Sequence, residues 1–356
     1  MISNARVFEK KRFLSTFRPE RFSCCDYFYP FARQGLYFYL KDKKYKTVLL
    51  PSYVAEGVFD PFKRLGYTIE FYDTDENGNI QSGVFAKQVD VFVYIHYFGL
   101  YNERNMSLIL QNREKFDLFI EDFSHVVYSE ELNQVGDIAL FSFTKIFGVT
   151  EGSCLRFASP RKEEAVYLER RAEAQCLRKS LYWGKMLESY CGNFKLRGWL
   201  TRALRWMGVK DYYSLLMKSY VDNYPRMSAA AFYTLSRLDM ERVRKIRKQY
   251  SAIYLTGLHP DLLFKIPKAY YERQALFAFP IKVEKRDLFI KQLKKAGVLA
   301  LTLTNRWWFN EQGDKSMYYS HLLLPINHYL SEREIRTVVD KVNKVFIKTR
   351  QDEYKE

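Results

Sequence analysis

Short apolar runs alternate with amphipathic segments between residues 45 and 157. Two helix-like stretches, 54–66 and 103–115, separate runs that are rich in β-branched and aromatic residues. Continuous apolar strands separated by helices are typical of a parallel sheet covered on both faces. The predicted strands are TVLLP (47–51), IEFYD (69–73), VFVYIHYF (91–98), LFIEDF (118–123) and IALFSF (138–143). The pattern therefore predicts an α/β fold.

A second, smaller α/β unit is predicted towards the C-terminus. Its elements are a long helical segment from about residue 228, strand-like FAFPIKV (277–283), a helix ending near Gly297 and strand-like HLLLPI (321–326). Ser331, with Glu334 three residues later, has capping-box spacing, which predicts the start of a last helix. We therefore expect a large domain, 1–240, and a small C-terminal domain, 241–356.

The composition agrees with a large folded protein. The 356 residues are 47% hydrophobic and 17% aromatic, enough for a sizeable core and two domains. No run approaches the roughly 20 apolar residues of a membrane helix, and the N-terminus lacks the apolar run of a signal peptide, so a cytoplasmic location is expected. The five cysteines form no paired zinc motif or disulfide framework, and no metal site is predicted.

The formal net charge of +16 predicts an anionic partner. Basic surfaces attract nucleic acid, anionic membranes or phosphorylated small molecules. The sequence has no zinc-finger spacing, RNP aromatic motif or heptad-bearing basic region, so we do not expect nucleic-acid binding. A cationic enzyme that acts on nucleotide-linked or lipid-linked phosphates fits the charge at least as well.

Residues 161–220 are especially basic, with 13 Lys and Arg against 6 Asp and Glu. Apolar residues recur at i, i+3 and i+4 between Leu196 and Met207, which predicts an amphipathic helix. We prefer the interpretation that this segment is a helical insertion packed on the large domain. The alternative is a surface helix that makes peripheral contact with anionic lipid.

Polar side chains follow two neighbouring predicted strands, where ligands bind in parallel sheets. Asp122 lies at the end of one strand, and Lys145 follows the next. A lysine there can form a Schiff base with an aldehyde cofactor, and a nearby carboxylate can hold a pyridine nitrogen protonated. By residue type alone, the solvated-loop interpretation is favoured, because Asp and Lys at strand ends are commonly solvated loop residues.

Five consecutive segments resemble, in order, the motifs of the DegT/StrS-type aminotransferases. They are PFARQGLYFYL, VLLPSYVAEGVFDPFKRLGYTIEFYDTDENGNI, VYIHYFG, LFIEDFSHVVYS and GDIALFSFTKIFGVTEGSCLRF. They are similar to the phosphate loop and helix, the Pro-Ser-Tyr turn, Val-His-x-x-Gly, Ile-Glu-Asp-x-Ala-(Gln/His) and the lysine block. The C-terminal half resembles the family more loosely, through NYPRMS, the RLD…R helix and LLLPI.

The resemblance implies a fold-type-I aminotransferase (aspartate-aminotransferase-like) with pyridoxal 5'-phosphate as cofactor. It implies a homodimer that moves an amino group, from glutamate by family habit, to a keto-sugar. The sugar would be nucleotide-linked, in surface polysaccharide or related biosynthesis. A dehydratase is disfavoured, because the sugar dehydratases of the family replace the lysine, here Lys145, with histidine.

The resemblance also implies roles for single residues. Lys145 is the Schiff-base lysine and moves the proton, Asp122 pairs with the pyridinium nitrogen, and His125 lies near the 3-hydroxyl of the cofactor. His125 could instead be a core histidine with a satisfied hydrogen bond. His96 is expected to be structural, and Tyr53 could line the pocket or pack in the core.

Four further residues correspond to the phosphate site of the family. Arg33 and Gln34 fall where a helix begins, and its backbone N–H groups and dipole suit a phosphate; Arg33 adds a charged contact. Ser142 matches a serine that donates to the same phosphate. Asn223 matches, with a one-residue offset, an asparagine that reaches the phosphate from the partner subunit.

Three departures from the family pattern keep a second function open. Ala55 stands where many members have an aromatic residue stacked on the cofactor, Ser153 replaces a glycine, and the gap from Ser142 to Lys145 is short. Without a stacking ring, affinity for the cofactor would fall. The alternative is a non-catalytic or regulatory protein of this fold, docked on a membrane through 161–220.

Overall fold

The structure is a computed structural model of the chain. It describes residues 22, 26–81, 83–86, 88–129, 132–149, 151–159, 227, 229–303, 307–309, 313 and 319–353. The predicted insertion 161–220 and the predicted phosphate ligand Asn223 lie outside the described residues.

Eleven strands and eight α-helices occur in the described ranges. The strands are β1 (Asp26–Tyr29), β2 (Thr47–Pro51), β3 (Tyr53–Ala55), β4 (Thr68–Tyr72), β5 (Val89–Ile95), β6 (Phe116–Asp122), β7 (Ile138–Ser142), β8 (Ser153–Phe157), β9 (Phe279–Lys282), β10 (Trp307–Phe309) and β11 (His321–Leu324). The helices are α1 (Ala32–Lys41), α2 (Glu56–Arg64), α3 (Glu103–Gln111), α4 (Ala229–Arg237), α5 (Met240–Gly257), α6 (Lys268–Glu272), α7 (Arg286–Lys295) and α8 (Glu332–Glu353).

Seven strands form one sheet in the order β1-β8-β7-β6-β5-β2-β4. Strands β4, β2, β5, β6 and β7 are parallel; β8 runs antiparallel to β7, and β1 runs antiparallel to β8. The five predicted apolar runs coincide with the five parallel strands, and β5 and β6 are almost entirely buried because both faces of the sheet are covered. The predicted fold class is confirmed.

The C-terminal part contains a two-stranded antiparallel sheet, β9 with β11. The predicted capping box is confirmed, because the Ser331 N–H donates to Glu334 Oε2 at 2.8 Å and the Glu334 N–H to Ser331 Oγ at 3.3 Å. The helical segment from residue 228 is two helices, since Asp239 caps the start of α5 by accepting the Arg242 N–H at 3.1 Å. The domain boundary at residue 240 stays a prediction.

Two regions position the chemistry described below. Helix α1 follows β1 after two residues and packs closely on the sheet: a Cβ on Gly35 would lie 2.7 Å from Tyr29 Cδ2. Residues 96–98, predicted as strand, form a tight turn instead.

Within the described ranges, none of the helices combines the length and apolar character of a membrane span.

Candidate active site

The carboxyl ends of three neighbouring parallel strands meet at one edge of the sheet. Ile95 of β5 is in register with Asp122 of β6, and Asp122 with Leu140 of β7. The His96 N–H donates to the Asp122 carbonyl at 3.1 Å. Lys145 ends the short 3-10 helix Phe143–Lys145 that directly follows β7. The topology therefore brings Asp122 and Lys145 to the same edge, as predicted.

The Lys145 side chain reaches solvent, and its amine has no hydrogen bond or ion pair with any residue that the structure describes. Burial of the amine among surrounding protein atoms lowers the pKa of Lys145 below its ordinary value. The negative charge of Asp122 opposes this effect, and the positive charge of Arg33 adds to it. Both side chains therefore act on the Lys145 amine, and more of the amine is unprotonated at neutral pH than in an ordinary lysine.

Asp122 presents one carboxylate oxygen that is not used by the protein around it. Its Oδ1 accepts the Ser124 N–H at 2.8 Å, whereas its Oδ2 has no hydrogen-bond partner among the described residues. The residue is 4% exposed. A carboxylate oxygen that is left open in so largely buried a residue favours a cationic N–H donor beside it.

His125 is held in one tautomer. The Phe98 N–H donates to His125 Nδ1 at 3.2 Å, so the ring proton of the neutral histidine lies on Nε2. Burial, with contributions from the charges of Lys145 and His321, lowers the pKa of His125 well below its ordinary value. The ring stacks on Phe277, with centroids 5.0 Å apart and an interplanar angle of 21°. His125 is therefore a buried, neutral Nε2–H donor near Lys145.

The turn that follows β5 has an unusual backbone. Phe98 adopts φ 62° and ψ −3°, a left-handed conformation that costs a bulky residue energy. The next residue must be glycine, because Gly99 has φ 92° and a Cβ there would lie 2.3 Å from the His125 carbonyl oxygen. This backbone aims the Phe98 N–H at His125.

The N-terminus of α1 carries the predicted phosphate residues Arg33 and Gln34. Its N-cap, Phe31, supplies no side-chain hydrogen bond to the first turn, as suits a helix end that binds an anion. The Arg33 side chain lies beside the first turn of α2, since a Cβ on Gly57 would be 3.9 Å from Arg33 Nε. Gln34 is buried in the first turn of α1.

Ser142 ends β7, three residues before Lys145. Its Oγ lies 3.4 Å from Thr144 Oγ1, and within the described ranges it makes no hydrogen bond with the first turn of α1. The structure thus places Asp122, Arg33 and His125 each within electrostatic reach of Lys145. For Gln34 and Ser142, the structure shows the element on which each lies: the first turn of α1 for Gln34 and the end of β7 for Ser142.

Ser153 and Ala55, two of the three departures from the family pattern, both lie on strands. Ser153 lies on β8, fully buried, and its Oγ donates to the Tyr29 carbonyl at 3.0 Å. The preceding Gly152 is the residue that needs glycine, with φ 139°. Ala55 ends β3 and is in register with Trp307 of β10.

His96 and Tyr53 belong to the core. His96 Nε2 lies 3.0 Å from Glu121 Oε1, and its ring stacks on Phe123 at 4.1 Å, so the structural role predicted for it is confirmed. Tyr53 is buried, and its ring stacks on Tyr97 with an interplanar angle of 5°. Of the two roles left open for Tyr53, core packing is the observed one.

Sequence reasoning missed two residues that set the state of His125. Phe98 supplies the hydrogen bond to Nδ1, and Phe277 supplies the stacked ring. The sequence signals only that Gly99 ends a turn after a strand. The contact with Phe277 joins residues far apart in the chain, and no local pattern predicts it.

No protein-family model matches the chain, and no curated protein matches it in sequence. Solved structures do match in fold. Sugar aminotransferase CalS13 from Micromonospora echinospora is 15% identical with TM-score 0.63, covering 97% of this chain and 100% of its own. PseC from Helicobacter pylori, an aminotransferase involved in the biosynthesis of pseudoaminic acid, is 15% identical with TM-score 0.62, covering 91% of this chain and 87% of its own.

A third match is DesI, solved in the presence of its TDP-sugar product. It is 16% identical with TM-score 0.58, covering 92% of this chain and 83% of its own. At these identities the comparisons establish the fold, which is that of the sugar aminotransferases. Since one fold serves many functions, the activity of this chain has to be argued from its site.

Proposed function

We propose that the chain is a pyridoxal-phosphate-dependent aminotransferase of the DegT/StrS type that transfers an amino group to a keto-sugar. The observation that carries this proposal is the Lys145 amine, which has a lowered pKa and no partner among the described residues, at the same strand edge as Asp122. A lysine with these properties suits covalent attachment of an aldehyde.

The residues present fit the cofactor. Lys145 would hold its aldehyde carbon, and the unused Oδ2 of Asp122 would accept a hydrogen bond from the pyridine nitrogen. The Nε2–H of His125 suits the 3-oxygen. Arg33, at the N-terminus of α1 and acting on Lys145, suits the phosphate, with Gln34 and Ser142 as further phosphate ligands.

When bound, pyridoxal phosphate supplies an electron-withdrawing ring that stabilises negative charge on the carbon next to the transferred nitrogen. The protein contributes proton transfer and orientation. Lys145 takes and returns the proton through Nζ, and its lowered pKa favours the unprotonated form that a base needs. Asp122 would face the ring nitrogen, and His125 would donate through Nε2–H without carrying a charge.

We infer that the acceptor is a nucleotide-linked keto-sugar and that glutamate is the donor. The net charge of +16 suits a diphosphate, and the match with DesI, solved with a TDP-sugar product, supports the same substrate class. A role in surface polysaccharide or related biosynthesis follows from that substrate. We further propose a homodimer with Asn223 completing the phosphate site of the partner subunit, and domains 1–240 and 241–356.

The proposal is tested by the two half-reactions of purified protein loaded with pyridoxal phosphate. With glutamate we expect stoichiometric 2-oxoglutarate. When a TDP-linked keto-sugar is then added to the glutamate-treated protein, after removal of free glutamate, we expect the aminated sugar; Lys145→Ala yields neither product. Lys115→Ala is the matched control, because Lys115 directly precedes β6 and so lies at the opposite end of that strand from Asp122. Cofactor binding without transfer from any amino donor would refute the aminotransferase assignment.

A further inference from the structure

Arg247 of α5 is a buried cation, 2% exposed, whose guanidinium reaches three separate parts of the chain. Its Nη1 donates to the carbonyl oxygens of Leu276 at 2.9 Å and Phe277 at 2.8 Å. Its Nη2 donates to the Ile146 carbonyl at 3.1 Å and lies 3.4 Å from His328 Nδ1.

Two of these contacts are with neighbours of the residues that carry the proposed chemistry, Lys145 and His125. Ile146 directly follows Lys145. Phe277 stacks on His125, and its N–H donates to the His125 carbonyl at 3.0 Å. Leu276 is bridged to Val126, the residue after His125. One guanidinium therefore connects the backbone beside Lys145 with the backbone that is paired to His125.

We propose that Arg247 is a positioning residue that fixes the Lys145 turn relative to the His125 segment, and so sets where the Lys145 amine stands for proton transfer. This inference rests on the proposed function, because the position of the Lys145 amine matters for catalysis only if Lys145 transfers the proton. The contacts of Arg247 are observed independently of that function. Arginine is required because its planar fork has five donors and can serve several carbonyls at fixed angles. A lysine ammonium keeps the charge without that geometry.

Without the Arg247 guanidinium, the hydrogen bond to the Ile146 carbonyl would be lost and the Lys145 turn would be less constrained. The packing of protein atoms around the amine would then loosen, and the desolvation that lowers the pKa of Lys145 would weaken. A catalytic group displaced by about 1 Å can lose about 10²-fold in rate. We therefore expect both the pKa of Lys145 and the rate of amino transfer to depend on Arg247, although Arg247 touches neither substrate nor cofactor.

The test compares Arg247→Lys and Arg247→Met with Arg244→Met, a substitution one turn earlier on the same helix, where Arg244 pairs with the exposed Glu241. The pKa of Lys145 is measured in the full chain without cofactor, from the pH dependence of reductive methylation by formaldehyde and cyanoborohydride, followed by peptide mass. Steady-state kinetics separate kcat from KM, and thermal unfolding reports stability.

We expect both Arg247 variants to raise the pKa of Lys145 and to lower kcat by about 10²-fold, with Arg244→Met like wild type. Lower stability with an unchanged Lys145 pKa and unchanged kcat would overturn the inference and leave Arg247 a structural residue. If Arg247→Met does not fold, Arg247→Lys decides. If wild type does not bind pyridoxal phosphate, the proposed function fails, and the Lys145 pKa still decides whether Arg247 positions that amine.

Discussion

The backbone N–H of Phe98 donates to Nδ1 of His125 across 3.2 Å, and this contact assigns the ring proton to Nε2. The contact depends on a left-handed Phe98 and on Gly99 behind it. A buried backbone donor thus selects the histidine tautomer that can donate towards the site.

We predict that His125 is neutral, with its proton on Nε2, throughout the neutral and mildly acidic range. The pKa of His125 lies well below its ordinary value of 6.5 because the ring is buried. ¹⁵N NMR of the ring nitrogens measures both the tautomer and the titration. A His125 signal that titrates near the ordinary histidine value, or a proton on Nδ1, would contradict this assignment.

The same pKa shift predicts how stability changes with pH. Unfolded His125 binds a proton at its ordinary pKa, whereas folded His125 binds one only at lower pH. The contribution of His125 to the free energy of unfolding is therefore fully present above that ordinary value, and it is lost as pH falls from there towards the folded pKa. Urea unfolding across this range should show a smaller loss for His125→Gln than for wild type; equal losses would refute the prediction.

Gly99→Ala should destabilise the protein and disturb His125. The new Cβ would lie 2.3 Å from the His125 carbonyl oxygen, so the backbone at one of these two residues must move. We expect this movement to lower the free energy of unfolding by about 1–3 kcal/mol, in addition to the strain of a positive φ. Gly66→Ala is the matched control, because Gly66 also has positive φ (73°) with no atom within 4 Å of its Cβ position. Similar losses of stability in both variants would show that the close contact is unimportant.

Arg33→Gln should weaken cofactor binding through the phosphate. A charge-assisted contact is worth about 1.5–3 kcal/mol, which corresponds to about 10- to 150-fold in affinity. Binding of pyridoxal, which lacks the phosphate, should change little. The pKa of Lys145 should rise, because Arg33 lowers it. Arg64→Gln, on the exposed end of α2 and paired with Asp60, is the control; equal loss of affinity for both cofactor forms would argue against a phosphate contact.

Asp122→Asn should separate attachment of the cofactor from catalysis. The variant retains Lys145, so covalent attachment should persist, while amino transfer falls by about 10²–10⁴-fold, as expected when a group that assists proton transfer is lost. The pKa of Lys145 should fall further, because the Asp122 charge raises it. Single-turnover rates with glutamate measure the effect, and a near-normal rate would remove Asp122 from the mechanism.

The sequence predicted the parts of the fold that depend on local pattern. All five parallel strands were recognisable because strands buried on both faces are continuously apolar. Strand β1 and its pairing with β8 were missed. Asp26 on β1 is polar, and its buried side chain is held by an ion pair with Arg156 on β8 at 2.9 Å and by a hydrogen bond from the Tyr128 hydroxyl. Such pairing depends on residues distant in the chain.

The residues of the candidate site also divide into those that a local sequence pattern predicts and those that depend on contacts distant in the chain. Lys145 and Asp122 could be predicted because each follows an apolar strand, and parallel strand ends share an edge. Arg247 and Phe277 could not, because Arg247 contacts Ile146 and Phe277 contacts His125 only through the tertiary fold. Residues 96–98 were predicted as strand because they are apolar or aromatic, but the left-handed Phe98 ends β5 there.

The proposed function requires that Lys145 carries pyridoxal phosphate. The most direct measurement is borohydride reduction of the protein incubated with the cofactor, followed by digestion and peptide mass mapping. We expect one pyridoxyl group per chain on Lys145, and none on that peptide in Lys145→Ala. Stable labelling of another lysine in wild type, or labelling spread weakly over many surface lysines, would rule out Lys145 as the attachment site.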